Sequence, residues 1–166
     1  MEARIMLGSK DGAATTFWAR SKDKAADIPV NEFDFVETYG SEKIVGNLHT
    51  WEDQGRVHIN HALNKTVLPA DGEKFSDTFH HIAFVWTESK VTFYLDGVAY
   101  LEQDITDGEW DAFREETFLL LGVTVPEGEY MQYYDADAIT DYSDYNVSQK
   151  VDYIRIYQTN NNFTLN

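Results

Sequence analysis

The sequence predicts an all-β fold from three observations. Most apolar segments alternate with a period of two and are rich in β-branched and aromatic residues, as half-buried strands require. A helical pattern is confined to residues 106–116. A content of 43% hydrophobic and 14% aromatic residues in a chain of 166 predicts a single folded domain with a substantial core.

The predicted strands follow one another along the whole chain. In chain order they are residues 1–7, a segment ending at Trp18, 31–40, 44–51, 56–63, 79–87, 90–101, 118–125 and 151–158. Residues 79–87 and 90–101 are the clearest pair and predict a hairpin, with a turn at Leu95-Asp96-Gly97. Residues 118–125 form a nearly continuous apolar run, which is typical of a strand buried on both faces.

The third predicted strand carries three acids. Because side chains alternate between faces, Glu32 and Asp34 lie on one face and Phe35 lies on the other. Glu37 lies five positions after Glu32, an odd number, so in a regular strand it would point to the other face, among Phe33 and Phe35. One extra residue near Phe35-Val36, a β-bulge, would return Glu37 to the side of the other two acids.

Three carboxylates on one sheet face, with no basic residue among them, repel one another and raise the pKa of at least one. An ionised carboxylate beside a protonated one is what glycoside hydrolysis requires. One attacks or stabilises the anomeric carbon, and the other protonates the departing oxygen. The alternative interpretation is the solvated acidic face of an amphipathic strand in an acidic protein.

The acid segment resembles the active-site strand of glycoside hydrolase family 16, whose bulged members carry E-[ILVF]-D-x-x-E. Other segments resemble the family in the same order along the chain. They are Met1 to Ile5 (family FEARI), Thr16 to Trp18 (AFW), Phe79 to Thr87 with Val91 to Gly97 (FHTYAVEWT…ITFYVDG), and Val151 to Gln158 (VDYVRVYQ). Taken together, these matches cover residues 1–158 and make the resemblance specific.

The resemblance implies a concanavalin A-like jelly-roll sandwich of two curved antiparallel sheets, with the acid strand central in the concave sheet. It implies that Glu32 is a nucleophile that forms a glycosyl-enzyme ester and that Glu37 is the acid and later the base. Asp34 would orient Glu32 and tune both carboxyl groups. On a flat sheet, the Cα atoms of Glu32 and Glu37 would lie roughly 13 Å apart. Retaining cleavage needs about 5.5 Å between the carboxyl groups, so the sheet must curve inward.

Five side chains are candidates for sugar contact: Arg4, Trp18, His49, Trp51 and Tyr133. By resemblance, Trp18 is the cleft tryptophan beside the cleavage point, His49 reaches the cleft, and Arg4 lines it. Arg4 could also be an ordinary arginine on a strand face. Trp51 shares a strand face with His49 and is either a sugar platform or packing. Tyr133 belongs to an acidic, tyrosine-rich segment that predicts either a surface loop or the rim of the cleft.

Metal sites are weakly indicated. His58 with His61, and His80 with His81, lack the H-E-x-x-H context of a zinc site, so we expect catalysis without a cofactor. By resemblance, Asp152 matches a ligand of the structural calcium of the family, and it is the candidate for a structural calcium here. Calcium takes six to eight oxygen ligands, and in the family some of them come from a region that precedes the matched segments.

The net charge of −16 predicts that neither nucleic acid nor an anionic membrane surface is a partner, since both require a positive surface. The chain has no cysteines, which excludes disulfides and thiolate sites. No apolar run approaches transmembrane length, and no signal peptide is visible. The resemblance implies a secreted, extracellular or cell-surface protein. The oligomeric state is not indicated.

We assign residues 1–158 to one catalytic domain and residues 159–166 to a tail. Met1 matches a point that several strands precede in the family, so we expect an N-terminally short domain. The missing strands would be truncated, permuted or supplied by another chain.

The function expected from these features is that of a retaining endo-β-1,3(4)-glucanase acting on a neutral β-glucan. Its partner would then be this polysaccharide substrate. Charge favours a neutral substrate, because an acidic cleft repels ester sulfates. Two alternatives stay open. One is a carbohydrate-binding, lectin-like relative without turnover, and the other is an agarase-like galactan hydrolase of the same family.

Overall fold

The computed structural model describes residues 1–8, 12–22, 30–39, 43–52, 57–60, 65–125 and 146–158. Within these ranges the regular elements are strands and a single 3₁₀ helix, Gly108–Arg114. The strands are β1 (Glu2–Met6), β2 (Ala14–Ser21), β3 (Val30–Glu37), β4 (Ile44–Glu52), β5 (Val57–Asn60), β6 (Lys65–Val67), β7 (His80–Trp86), β8 (Lys90–Leu95), β9 (Val98–Asp104), β10 (Thr117–Thr124) and β11 (Lys150–Arg155).

The strands form two antiparallel sheets. The acid sheet has the order β10-β2-β3-β4-β5, and β6 also pairs with β4. The back sheet has the order β11-β1-β7-β8-β9. The predicted jelly-roll sandwich is confirmed, and β3, which carries the acids, lies in the middle of its sheet.

The core lies between the sheets and is built from the inward side chains of alternating strands. The ring of Phe33 lies 5.2 Å from that of Phe84, and the ring of Phe35 lies 5.2 Å from that of Phe93, so β3 packs directly on the back sheet. The 3₁₀ helix adds Phe113, whose ring lies 4.7 Å from that of Phe33. This packing fixes which face of β3 is buried, and so which face carries the acids.

The predicted hairpin of residues 79–87 and 90–101 is confirmed by the pairing of β7 with β8. The predicted turn is also confirmed, because Asp96 and Gly97 adopt positive φ angles and divide residues 90–101 between β8 and β9. The prediction for residues 118–125 needs correction. Strand β10 is not buried on both faces, since Phe118, Leu121 and Val123 are 40–41% exposed. These side chains are exposed because β10 is an edge strand, which pairs only with β2 among the described strands. In the described residues, no helix has the length and apolar character needed to cross a membrane.

Candidate active site

The bulge predicted in β3 is confirmed by the strand register. Asp34 pairs with Asn47 and Glu37 pairs with Val45, so the two residues between the acids face Gly46 alone on β4. Both of these residues, Phe35 and Val36, are completely buried in the core. The extra residue therefore restores Glu37 to the face that carries Asp34.

Residues directly opposite in an antiparallel pair share a face, so the register defines rows of side chains on the acid face. The acid face is the side of the acid sheet that carries Glu32, Asp34 and Glu37. Its rows across β2, β3 and β4 are Arg20-Glu32-His49, Trp18-Asp34-Asn47 and Thr16-Glu37-Val45. The structure thus brings the three predicted catalytic acids together with Trp18 and His49.

His49 contacts the central acid directly. Its Nε2 atom lies 3.0 Å from Oδ2 of Asp34, and its ring centroid lies 5.6 Å from that of Trp51 at an interplanar angle of 32°. Trp51 therefore lies on the acid face next to His49, as the shared strand face predicted. Ligand atoms of Glu32, Asp34 and His49 all lie within 4.8 Å of one another, so this set could also hold a divalent metal ion.

Glu37 is held by two polar side chains. The hydroxyl of Tyr39 donates to Oε2 of Glu37 at 2.6 Å, and Nδ2 of Asn47 donates to the same oxygen at 3.3 Å. Both hydrogen bonds fix the direction of the carboxyl group on the acid face.

Four residues of this face were missed by the sequence analysis. They are Arg20, Tyr39, Asn47 and Phe118, which lies opposite Arg20 on β10. A period-two reading would have found some of them, because Asn47 lies two positions before His49 and Arg20 two positions after Trp18. No local pattern shows that β10 lies beside β2.

Burial raises the pKa of all three acids. The pKa of Glu32 rises to about 8, first through burial and then through repulsion by Asp34, while His49 and Arg20 oppose the rise. Burial and the neighbouring Glu37 charge raise the pKa of Asp34 well above its usual range. Burial also raises the pKa of Glu37, against the hydrogen bonds from Tyr39 and Asn47.

The three groups therefore do not all ionise together at neutral pH. Asp34 is the most deeply buried of the three, so burial opposes its ionised form and favours a proton on it. A proton on Asp34 removes the second cause of the raised pKa of Glu32 and so increases the fraction of Glu32 that is ionised beside Arg20. Glu37, with its raised pKa, can hold a proton to give away.

Comparison with known proteins decides the family. Residues 1–155 match the model of glycosyl hydrolases family 16. The chain belongs to glycosyl hydrolase family 16.

Several proteins resemble this chain at low sequence identity. A glucan endo-1,3-beta-glucosidase A1 from Niallia circulans is 22% identical over 95% of this chain and 24% of its own length. The laminarinase of Flavobacterium sp. UMI-01 has a TM-score of 0.72 at 20% identity, over 95% of this chain and 65% of that chain. A GH16 protein of the Bacteroides ovatus mixed-linkage glucan locus, in complex with the product G4G4G3G, has a TM-score of 0.70 at 21% identity. The match covers 90% of this chain and 65% of that chain. The chain thus spans less than two thirds of the length of each of these proteins.

The prediction that Arg4 lines the family 16 cleft needs correction. Arg4 lies on β1 of the back sheet, on the face opposite to the buried Ala3 and Ile5. Its Nη1 atom lies 2.7 Å from Oδ2 of Asp152, and its guanidinium lies 4.6 Å from the ring centroid of Phe79. The core separates Arg4 from the acids, so the structure does not bring them together.

The surroundings of Asp152 do not fit the calcium site that family 16 suggested. A guanidinium already neutralises this carboxylate, and a cation beside it would repel Ca²⁺. Within the described residues, a cluster of three potential metal ligands occurs only at Glu32, Asp34 and His49. We derive no step through calcium.

His80 and His81 each pair with a carboxylate on the back sheet. His80 Nδ1 lies 2.7 Å from Oδ2 of Asp96, and His81 Nε2 lies 3.1 Å from Oε2 of Glu2. Tyr133 lies outside the described residues, so its predicted contact with sugar stays a prediction.

Proposed function

We propose that this chain carries the active site of a retaining, endo-acting β-glucanase. The observation that carries the proposal is the bulge in β3, which puts Glu32, Asp34 and Glu37 on one face with raised pKa values. A binding site that only holds a neutral sugar has no use for three mutually repelling carboxyl groups, whereas double displacement needs both a carboxylate and a carboxylic acid.

In the first step, an ionised Glu32 oxygen attacks the anomeric carbon and forms a glycosyl ester. The glycosidic C–O bond breaks, and the leaving oxygen takes the proton of Glu37. Asp34 keeps its proton close to Glu32 and limits the repulsion on it. In the second step, Glu37, now ionised, takes a proton from water while the water oxygen attacks the same carbon. The ester to Glu32 breaks, and the two inversions give net retention.

Sugar binding in this proposal rests on the aromatic side chains of the acid face. Trp18 lies beside Asp34 in the register, and Trp51 lies beside His49. Flat indole faces offer apolar surface to pyranose C–H groups. We propose that no cofactor takes part, since the two carboxyl groups supply both the nucleophile and the proton.

A neutral β-glucan with β-1,3 linkages is the proposed substrate. Two features support this choice: the glucanase and laminarinase names of the relatives, and a net charge of −16 that disfavours sulfated polymers. Because a polymeric glucan is met outside the cell, we also propose an extracellular or cell-surface location.

The experiment is a depolymerisation screen on laminarin, barley mixed-linkage glucan, agarose and κ-carrageenan at equal protein concentration. We expect reducing ends from laminarin or barley glucan first, and an initial β-anomer in the product by ¹H NMR. The matched control is Glu32→Gln, which keeps the shape of the side chain. Faster cleavage of agarose or κ-carrageenan would overturn the substrate, and retention of laminarin on a column without any release of sugar would favour the lectin-like alternative.

A further inference from the structure

The bulge that aligns the acids is contacted from the other sheet by Tyr100. Tyr100 lies on β9, at the edge of the back sheet, and its hydroxyl donates a hydrogen bond to the carbonyl oxygen of Phe35. Phe35 is the residue inserted relative to β2, where Trp18 pairs with Asp34 and Phe17 pairs with Val36. The extra residue of a bulge is left out of the regular ladder, so a side-chain hydrogen bond to its carbonyl oxygen restrains its conformation.

Gly46 makes this contact possible. It faces the bulge on β4 and shares the core side of that strand with the buried Ile44 and Leu48. A Cβ atom on Gly46 would lie 2.6 Å from Cε2 of Tyr100, so any other residue would displace the ring. The Tyr100 ring also lies 6.0 Å from that of Phe93 in the core. Tyr100 therefore fills the space that the missing side chain leaves and reaches the bulge through it.

We propose that Tyr100 is a positioning residue for the acid pair, acting through the backbone of the bulge. This inference rests on the proposed function, in which the bulge aligns the two catalytic carboxyl groups. Phe35 lies between Asp34 and Glu37, so the orientation of its peptide groups sets the distance and direction of Glu37 relative to Glu32. Retaining cleavage needs the two carboxyl groups about 5.5 Å apart. A misplacement of about 1 Å lowers a rate by roughly 10²-fold.

The structural alternative is that Tyr100 contributes only packing. Tyr100→Phe separates the two roles, because it keeps the ring against Gly46 and Phe93 and removes only the hydroxyl. We expect kcat on laminarin to fall about 10- to 100-fold with KM changed less than about threefold. Tyr94→Phe is the matched control. It removes a hydroxyl from the neighbouring strand β8, away from the acids, and we expect it to leave kcat, KM and the pH profile unchanged.

Gly46→Ala is the second variant, and it approaches the contact from the acid sheet. Its methyl group pushes against the Tyr100 ring, so we expect kcat to fall in the same range. If both changes act through one hydrogen bond, the double variant with Tyr100→Phe loses less than the product of the two single losses. Multiplicative losses would show two independent effects and would contradict the proposed route.

A readout without turnover separates this inference from the proposed function. We would follow the side-chain ¹³C shift of Glu37 against pH in wild type, Tyr100→Phe and Tyr94→Phe. A titration midpoint that moves in Tyr100→Phe but not in Tyr94→Phe supports the positioning role even if no glucan is cleaved. An unchanged Glu37 titration in Tyr100→Phe, together with wild-type kcat wherever the wild type is active, overturns it. A Tyr100→Phe variant that shows only a lower thermal stability would also overturn the positioning role.

Discussion

The Nε2 atom of His49 lies 3.0 Å from Oδ2 of Asp34, the most deeply buried acid of the site. Burial lowers the pKa of His49, with Glu32 and Glu37 opposing the shift, so the imidazole is mainly neutral at pH 7. A neutral ring beside a carboxyl group that keeps its proton makes a hydrogen bond without a buried charge. His49 thus links the acids on β3 to the aromatic surface of Trp51 on β4.

His49→Ala should weaken both this link and the fold. Removing one partner leaves a buried polar atom of Asp34 without that hydrogen bond, which costs about 1–3 kcal/mol of unfolding free energy. We expect kcat/KM on laminarin to fall about tenfold or more, because Asp34 and Trp51 both lose a neighbour. Urea unfolding and steady-state kinetics measure the two effects. His81→Ala, on the back sheet, is the control and should leave kcat/KM unchanged. Equal kinetics for both variants would contradict the role of His49.

Glu32→Gln should change the pH dependence of stability. The pKa of Glu32 is about 8 in the folded chain, above its ordinary value of 4.5, so the ionised form that attacks in the proposed mechanism is the minor form at neutral pH and grows as the pH rises. Below pH 4.5 both states hold the proton, and between pH 4.5 and 8 unfolding releases it, so this group lowers stability as the pH rises through that window. The glutamine cannot ionise, so its Tm advantage over wild type should grow from pH 4.5 to pH 8, by about 5 °C or more.

Differential scanning calorimetry at half-unit pH steps measures this trend. Glu102→Gln is the control, because it replaces an exposed glutamate on β9 that bonds Lys90 at 3.1 Å. A Tm difference for Glu32→Gln that stays flat between pH 5 and pH 8 would show that Glu32 is not held in the protonated form.

The Arg4–Asp152 pair predicts the response to calcium. Both side chains are 43–48% exposed, so losing their ion pair in Asp152→Asn should cost only about 0–1 kcal/mol. A ligand raises Tm only if it binds the folded state. Since we expect no calcium to bind at Asp152, about 10 mM CaCl₂ or EDTA should change the Tm of the wild type and of Asp152→Asn by the same amount. A rise with calcium in the wild type that disappears in the variant would restore the calcium site that the sequence suggested.

Local patterns were enough to predict the acid strand. The odd spacing between Glu32 and Glu37 required a bulge near Phe35, and the register shows one there. The parity of β4 likewise put His49 and Trp51 on one face, because period two is a property of each strand by itself.

The position of each strand relative to the acid sheet could not be predicted in this way. Alternation shows that Arg4 and Ala3 point to opposite sides, but it does not show that Arg4 points away from the acids towards Asp152. The contact between Tyr100 and the bulge also depends on how the two sheets stack, and no spacing in the sequence records the gap at Gly46. The importance of Gly46 becomes visible only when the strand register places it opposite Phe35.

Chemical rescue assigns the two glutamates separately. In Glu37→Ala we expect laminarin hydrolysis to fall about 10²–10⁴-fold, since the general acid and base is lost. With a dinitrophenyl laminarioligosaccharide the leaving group needs no proton, so the ester on Glu32 still forms, and azide can attack it without a base. Azide should therefore raise the rate and give the β-glycosyl azide.

Glu32→Ala should give the opposite anomer. Without the nucleophile no ester forms, so azide in the vacated space attacks the substrate directly, with a single inversion, and yields the α-glycosyl azide. The anomeric ¹H coupling of the isolated azide distinguishes the two products. Glu102→Ala, on the back sheet, should give neither azide. An α-glycosyl azide from Glu37→Ala, or a β-glycosyl azide from Glu32→Ala, would show that the two glutamates have the opposite roles. The geometry of the acid face, with Glu32 and Glu37 on either side of the bulge, would be unchanged by that exchange.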